Sequence, residues 1–159
     1  MRQNKLSTEN KMDITFLRDD CRYELKNRKR IREWLREVAL REGEYKIDCV
    51  NYVFTSSEKQ LQLNRQFLGH DFFTDIITFD YSSKKEGLIA GEIYIDVDTV
   101  KDNAKIYGTE FKNEILRVIV HGVLHLCGQT DKTPRKEKQM HQKEDKYLKL
   151  YFENCLENK

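Results

Sequence analysis

HGVLHLCGQTD, residues His121 to Asp131, sets two histidines four apart and an aspartate six residues after the second. On an α-helix, positions i and i+4 lie on one face with their side chains roughly 5–6 Å apart, so His121 and His125 can share one ion. Gly128 is placed to end that helix, because glycine accepts the left-handed conformation that closes a last turn. The chain can then fold back and present the Asp131 carboxylate to the same ion. Three protein ligands with a fourth position open is the pattern of a catalytic zinc site, which predicts one Zn2+ per chain. A bare histidine pair is a weak motif, but only four histidines occur here and the helix around these two is apolar, from Ile115 to Leu126. Imidazoles in such a setting need ligands or hydrogen-bond partners. Cys127, two positions after His125, points to another face and reads as core packing.

The motif resembles the zincin hydrolases, whose longer pattern is HExxHxxGxxH with an occasional aspartate as third ligand. Zincin peptidases carry their general-base glutamate directly after the first histidine, and that position is Gly122 here. Metal-assisted hydrolysis other than peptide cleavage is therefore expected, with a zinc peptidase as the weaker alternative.

Composition bounds the setting. With 159 residues, 35% charged and 38% hydrophobic, the chain suits one domain over residues 1–159 with a substantial core, its first eleven residues polar and expected to be flexible. No apolar run approaches the roughly 18–20 residues that span a bilayer, and MRQNKLSTENKMD lacks the apolar core of a secretory signal. A cytoplasmic, membrane-free protein is expected. The four cysteines are scattered without a CxxC pair, as for free thiols in a reducing compartment. A net charge of +2 is too mild to argue for nucleic acid, although Lys26 to Arg32 packs five cations into seven residues. Such a run is either a phosphate-binding patch or the solvated face of a helix.

Periodicity gives an α/β (α+β) chain with a mixed sheet of about four strands, flanking helices and a zincin-like metal-binding helix. Strands are expected at Ile14–Leu17, Tyr45–Thr55, Asp75–Tyr81 and Leu88–Val97, the last two as an antiparallel hairpin across Ser82–Gly87. Helices are expected from Glu24 to Leu40, from Ser56 or Ser57 to Gly69, from Asp98 to Tyr107, from Glu110 to Cys127 behind a Thr109 cap, and after Pro134 to Leu156. The last of these should bury Met140, Tyr147, Leu148, Tyr151, Phe152 and Cys155.

A second group of residues lies upstream. Leu63-Asn64, Phe67, Asp71, Thr74-Asp75 and Gly91-Glu92, followed by HGVLHLCGQTD, stand in the order of the YbeY family of bacterial metal-dependent endoribonucleases. The chain resembles that family from about Asn64 to Asp131. Two places depart from the pattern: Asp131 replaces the usual third histidine, and Leu68 replaces an arginine that follows the aromatic. An aspartate oxygen ligates zinc at a distance similar to imidazole nitrogen, so the ligand set survives.

The resemblance implies a zinc-dependent endoribonuclease specific for single-stranded rRNA, acting in maturation of the 16S rRNA 3′ end and in ribosome quality control. Ribosomal subunits and ribosome-associated proteins are then the partners. His121, His125 and Asp131 are the expected metal ligands, through which water is activated for attack on a phosphodiester. Glu92 is a candidate base, and Arg65, His70, Asp71, Thr74 and Asp75 are candidate substrate contacts or supports for the ligands. His141, among lysines and glutamines, reads as surface. A non-catalytic ribosome-assembly factor with structural zinc is the alternative from another class; it needs a fourth protein ligand, and only Cys127 is near in sequence.

Overall fold

Alternating burial along three of its four strands determines which way this sheet faces. A computed structural model describes residues 12–69 and 74–157, with side chains as far as residue 154. The expected flexible start, and the candidate contacts His70 and Asp71, lie outside the described residues. Strands β1 (Ile14–Asp19), β2 (Lys46–Thr55), β3 (Ile76–Asp80) and β4 (Leu88–Asp96) form one sheet in the order β1-β2-β4-β3. β2 is parallel to both β1 and β4, while β3 runs antiparallel to β4 as the expected hairpin. Ile14 and Phe16, then Val50, Tyr52 and Phe54, then Ile89, Ile93 and Ile95 are buried along one face. A register shift between Ile47 and Cys49 lets Ile47 join them from an odd position.

Helices α1 (Arg28–Gly43) and α4 (Phe111–Leu126) cover that face. The Tyr52 hydroxyl donates to the Ile119 carbonyl at 2.6 Å, pinning α4 to the centre of the sheet. Helix α5 (Pro134–Glu157) lies outside α1 and α4, held by a 2.8 Å bond from Trp34 Nε1 to the Tyr147 carbonyl. Met140, Tyr147, Leu148 and Tyr151 are buried as expected and Phe152 is half-buried; the Cys155 side chain lies outside the described residues.

Three local readings change. Helix α1 begins at Arg28 rather than Glu24, because Asn27 adopts a left-handed conformation (φ 61°) that breaks the pattern, and Leu25 is buried from the segment before it. Its run of cations is stapled to the fold: Arg28 and Arg32 donate to the carbonyls of Leu25 and Ile14, and the Arg30 guanidinium lies over Tyr151. The helix after Ser56 is α2 (Ser57–Leu63), which widens into a π-helical turn over Asn64–Leu68 and closes at Gly69 (φ 66°). Helix α3 (Val97–Tyr107) is capped by Asp96, but Thr109 does not cap α4. The cap position is Glu110, and the Thr109 hydroxyl lies 3.4 Å from Glu114 instead. Among the described residues no helix is long and apolar enough to cross a membrane.

Candidate metal centre

Helix α4 buries Ile115, Leu116, Ile119, Val120, Val123, Leu124 and Leu126, which leaves one stripe facing outward into a cleft. His121 and His125 occupy that stripe, their ring centroids 5.6 Å apart. Past Leu126 the chain reverses through Gly128 (φ 102°), with Gly128 N–H donating to the His125 carbonyl and Gln129 N–H to that of Leu124. This is the glycine-closed helix end that the sequence predicts, and it returns Asp131 to the histidines. His121 Nε2 stands 3.6 Å from Asp131 Oδ2, and His125 Nε2 stands 3.8 Å from Asp131 Oδ1. One ligand atom from each of the three lies within 4.8 Å of the others. Bonds of about 2.0–2.2 Å around a tetrahedral ion hold ligand atoms roughly 3.4 Å apart, so these donors fit a zinc-sized ion with little adjustment.

A residue that sequence reasoning missed completes the arrangement. Glu144 of α5, almost wholly buried, accepts a 2.7 Å hydrogen bond from His121 Nδ1 and a 2.9 Å bond from Arg117. With the imidazole proton held on Nδ1, Nε2 keeps its lone pair for a metal; carboxylates placed behind ligand histidines work this way generally. Arg117 is itself tied to Asp145 at 2.5 Å. His141, read from sequence as surface, is indeed largely exposed, but its Nδ1 lies 3.2 Å from Glu144 and its ring borders the cleft. A signal for Glu144 did exist: it falls four after Met140 and three before Tyr147, on the stripe that α5 buries.

Electrostatics follow from these contacts. Burial alone disfavours a charged His121, but the Glu144 hydrogen bond and the carboxylates of Glu144, Asp131 and Asp75 outweigh it and hold its pKa above the ordinary value. Glu144 moves the other way, because His121 and Arg117 overcome the effect of burial. His125 is lowered by burial and by its neighbour His121. Burial raises the Asp75 carboxyl, against the pull of His121.

The cleft in front of the ligands has a volume of about 920 Å³. Leu68, Thr74 and Asp75 line it, so the structure brings the sequence candidates Thr74 and Asp75, and the departing residue Leu68, to the candidate metal ligands. Thr74 also makes a local bond, its hydroxyl donating to the Ile76 carbonyl at 3.1 Å. Arg65 sits on the π-helical turn and does not line the cleft. Nor do Lys26 to Arg32. Glu92 is not brought to the ligands either. Its neighbours Gly91 and Ile93 point toward α4, so strand alternation turns Glu92 to the opposite face, where it accepts a 2.8 Å bond from the Tyr94 hydroxyl. Cys127 is half-buried against the core, where burial pushes its thiol up to about 12, and it is not among the converging ligands.

Gly122 has a packing reason as well. A Cβ there would stand 2.8 Å from Ile93 Cδ1, so α4 approaches β4 closely enough that a side chain at the position where peptidases carry their base would have to displace Ile93.

The family model described as Endoribonuclease YbeY matches residues 7–151. A protein of Cytophaga hutchinsonii named Endoribonuclease YbeY is 48% identical over 137 residues, covering 86% of this chain and 94% of that one. One of the same name from Parabacteroides distasonis is 39% identical over 144 residues, covering 91% and 99%. The solution structure of TM1509 from Thermotoga maritima superposes with a TM-score of 0.62 at 31% identity, covering 91% of this chain and 93% of that chain. With the family model matched over residues 7–151 and a relative 48% identical across 86% of its length, the chain belongs to the Endoribonuclease YbeY family.

Proposed function

We propose that this protein is a zinc-dependent endoribonuclease that cuts single-stranded rRNA in the cytoplasm, maturing the 3′ end of 16S rRNA and serving ribosome quality control together with ribosomal subunits and their associated proteins. The observation that carries the reading is the convergence of His121 Nε2, His125 Nε2 and the Asp131 carboxylate at the mouth of an open cleft. Zinc held by these three residues supplies Lewis acidity at a phosphoryl oxygen and a more acidic water, the two aids that phosphodiester hydrolysis needs. Glu144 keeps His121 in the ligating tautomer. Asp75, whose carboxyl burial raises, is the group on the facing wall suited to exchanging a proton with substrate. Thr74 and Leu68 form that wall beside it, and Arg65, His70 and Asp71, which precede it in the sequence, are further substrate contacts in this reading. Lys84, whose ammonium lies beside the Gly128 turn, and Lys132, next to Asp131, give the phosphate backbone an approach to the ligands.

Purified protein is expected to hold about one zinc per chain and to cleave unpaired RNA. His121→Ala combined with His125→Ala should abolish both metal and cleavage while the fold persists by circular dichroism. Full metal retention in that variant refutes the site; RNA left intact by zinc-loaded wild type refutes the reaction. The alternative of a structural zinc lacks a fourth ligand among the described residues, since Cys127 packs into the core.

A further inference from the structure

Residues 18–32 carry seven cations, from Arg18 to Arg32, against three acids. Among the described residues none of the seven forms an ion pair. Two of the acids are drawn elsewhere: Asp19 faces Lys59 at 3.6 Å, and Asp20 accepts a 2.7 Å bond from the Ser56 hydroxyl.

The solvated face of a helix leaves its cations loose, but several of these are anchored. Arg32 Nε donates to the Ile14 carbonyl at 2.8 Å, with its guanidinium 5.3 Å from the Phe16 ring centroid. Arg28 Nε donates to the Leu25 carbonyl at 3.0 Å, and the Arg30 guanidinium stands 5.4 Å from the Tyr151 ring centroid. Arg28 and Arg32 both bond through Nε, and their η nitrogens have no hydrogen-bond partner among the described residues. Those paired nitrogens are the fork that grips phosphate oxygens. The two residues lie one turn apart, about 6 Å along the axis of α1, on the order of the separation between neighbouring phosphates of a nucleic-acid strand. Their charges already crowd one another: burial, Arg28 and Arg36 hold Arg32 below its ordinary pKa against the pull of Asp13. A polyanion relieves that repulsion.

This surface stands apart from the cleft. It lies along β1, the edge of the sheet opposite β3, and no residue from 18 to 32 lines the cleft. Three strand spacings, about 14 Å, separate the two edges.

We infer that Arg28, Arg32 and the cations beside them form a second RNA-binding site, which holds phosphates of a substrate strand beyond the stretch that lies in the cleft. The inference rests on the endoribonuclease reading and adds a preference to it: RNA long enough to reach both edges of the sheet. Once one site is engaged the other binds intramolecularly, so affinity rises with no change at the metal ligands. RNA suits the patch better than an acidic protein segment because it carries a charge at every nucleotide, and because the cleft already brings it to the molecule.

The test uses the full-length, zinc-loaded protein and labelled 2′-O-methyl oligouridylates of about 30 and about 4 nucleotides, the second at the short end of single-strand site sizes. Fluorescence anisotropy reads the binding. Arg28→Gln combined with Lys29→Gln and Arg32→Gln should weaken the long strand at least about tenfold and flatten its slope of log affinity against log salt by about 2, three phosphate contacts at about 0.7 each. The short strand should bind as before. Lys46→Gln with Lys105→Gln and Lys149→Gln, which removes the same charge from β2, α3 and α5, should leave both strands nearly unchanged. In the unaltered protein the Nε–H resonances of Arg28 and Arg32 should shift with the long strand and not with the short one, a reading that needs no variant. Unmoved resonances overturn the proposal, as does equal weakening of the short strand or equal weakening by the distant variant. Shifts from polyglutamate but not from the long strand overturn it in favour of an acidic protein partner. A protein that grips the long strand here yet cuts no RNA fails the nuclease reading alone; one that cuts RNA while these resonances stay still fails only the second site.

Discussion

Truncating Glu144 should weaken metal binding at the candidate centre although Glu144 is not one of its three proposed ligands. Its buried carboxylate accepts from His121 Nδ1 at 2.7 Å and from Arg117 at 2.9 Å. Removing a carboxylate that orients a ligand histidine typically lowers metal affinity 10–100-fold, equivalent to about 1.4–2.7 kcal/mol. Glu144→Ala frees the imidazole to rotate and to move its proton to Nε2, so it belongs at the upper end. Glu144→Gln keeps an acceptor for Nδ1–H but not the charge, and belongs near tenfold. Stability of the metal-free protein falls too. Breaking a buried pair costs about 3–5 kcal/mol in general, but Arg117 keeps Asp145 and its side chain is 28% exposed, so about 1–3 kcal/mol is expected here. Competition with a chromophoric zinc chelator measures the affinity, 15N chemical shifts of the His121 ring report the tautomer, and urea unfolding in chelator gives the stability. Wild-type affinity in Glu144→Ala, with His121 still protonated on Nδ1, would refute the orienting role.

Three further outcomes are expected. Gly122→Ala gains up to about 1 kcal/mol of helix propensity but drives a methyl against Ile93, which is wholly buried. Overpacking of about 1–3 kcal/mol makes the net change destabilising, and a raised urea midpoint would contradict it. In the metal-free protein, Glu144 lies below its ordinary pKa of 4.5 and contributes stability above that value, lost as pH falls through the folded pKa. His121 lies above its ordinary 6.5 and contributes below that value, lost as pH rises through the folded pKa. The stability gap between wild type and Glu144→Gln should therefore be widest from 4.5 to 6.5 and shrink on either side; a gap growing toward pH 8 excludes the pairing. Cys127, with its thiol raised to about 12, should react with iodoacetamide at pH 8 more slowly than Cys49, checked by peptide mass spectrometry.

Much of the metal centre could be read from one helix, because its geometry is local. The spacing of His121 and His125, the stop at Gly128 and the return of Asp131 each depend on a few consecutive bonds, and the structure reproduces them. The strands were legible for a similar reason, since period-two burial survives in β1, β2 and β4. Boundaries set by single residues were less so: Asn27 in a left-handed conformation delays α1, and α2 gives way to a π-helical turn at Asn64–Leu68.

Glu92 and Glu144 mark the limit of sequence reading. Both are carboxylates with a plausible chemical role, but the face that each presents depends on what its element packs against. Strand register turned Glu92 away from α4, and the docking of α5 carried Glu144 to within 2.7 Å of a histidine 23 residues earlier in the chain. The sequence by itself determined the ligand helix, its three donors and the alternation of the strands, because those rest on backbone periodicity and on a glycine turn. Only the tertiary structure decided which carboxylate stands behind His121, how closely Gly122 lets α4 approach Ile93 and which edge of the sheet β3 forms, because each is a contact between segments that no local spacing encodes.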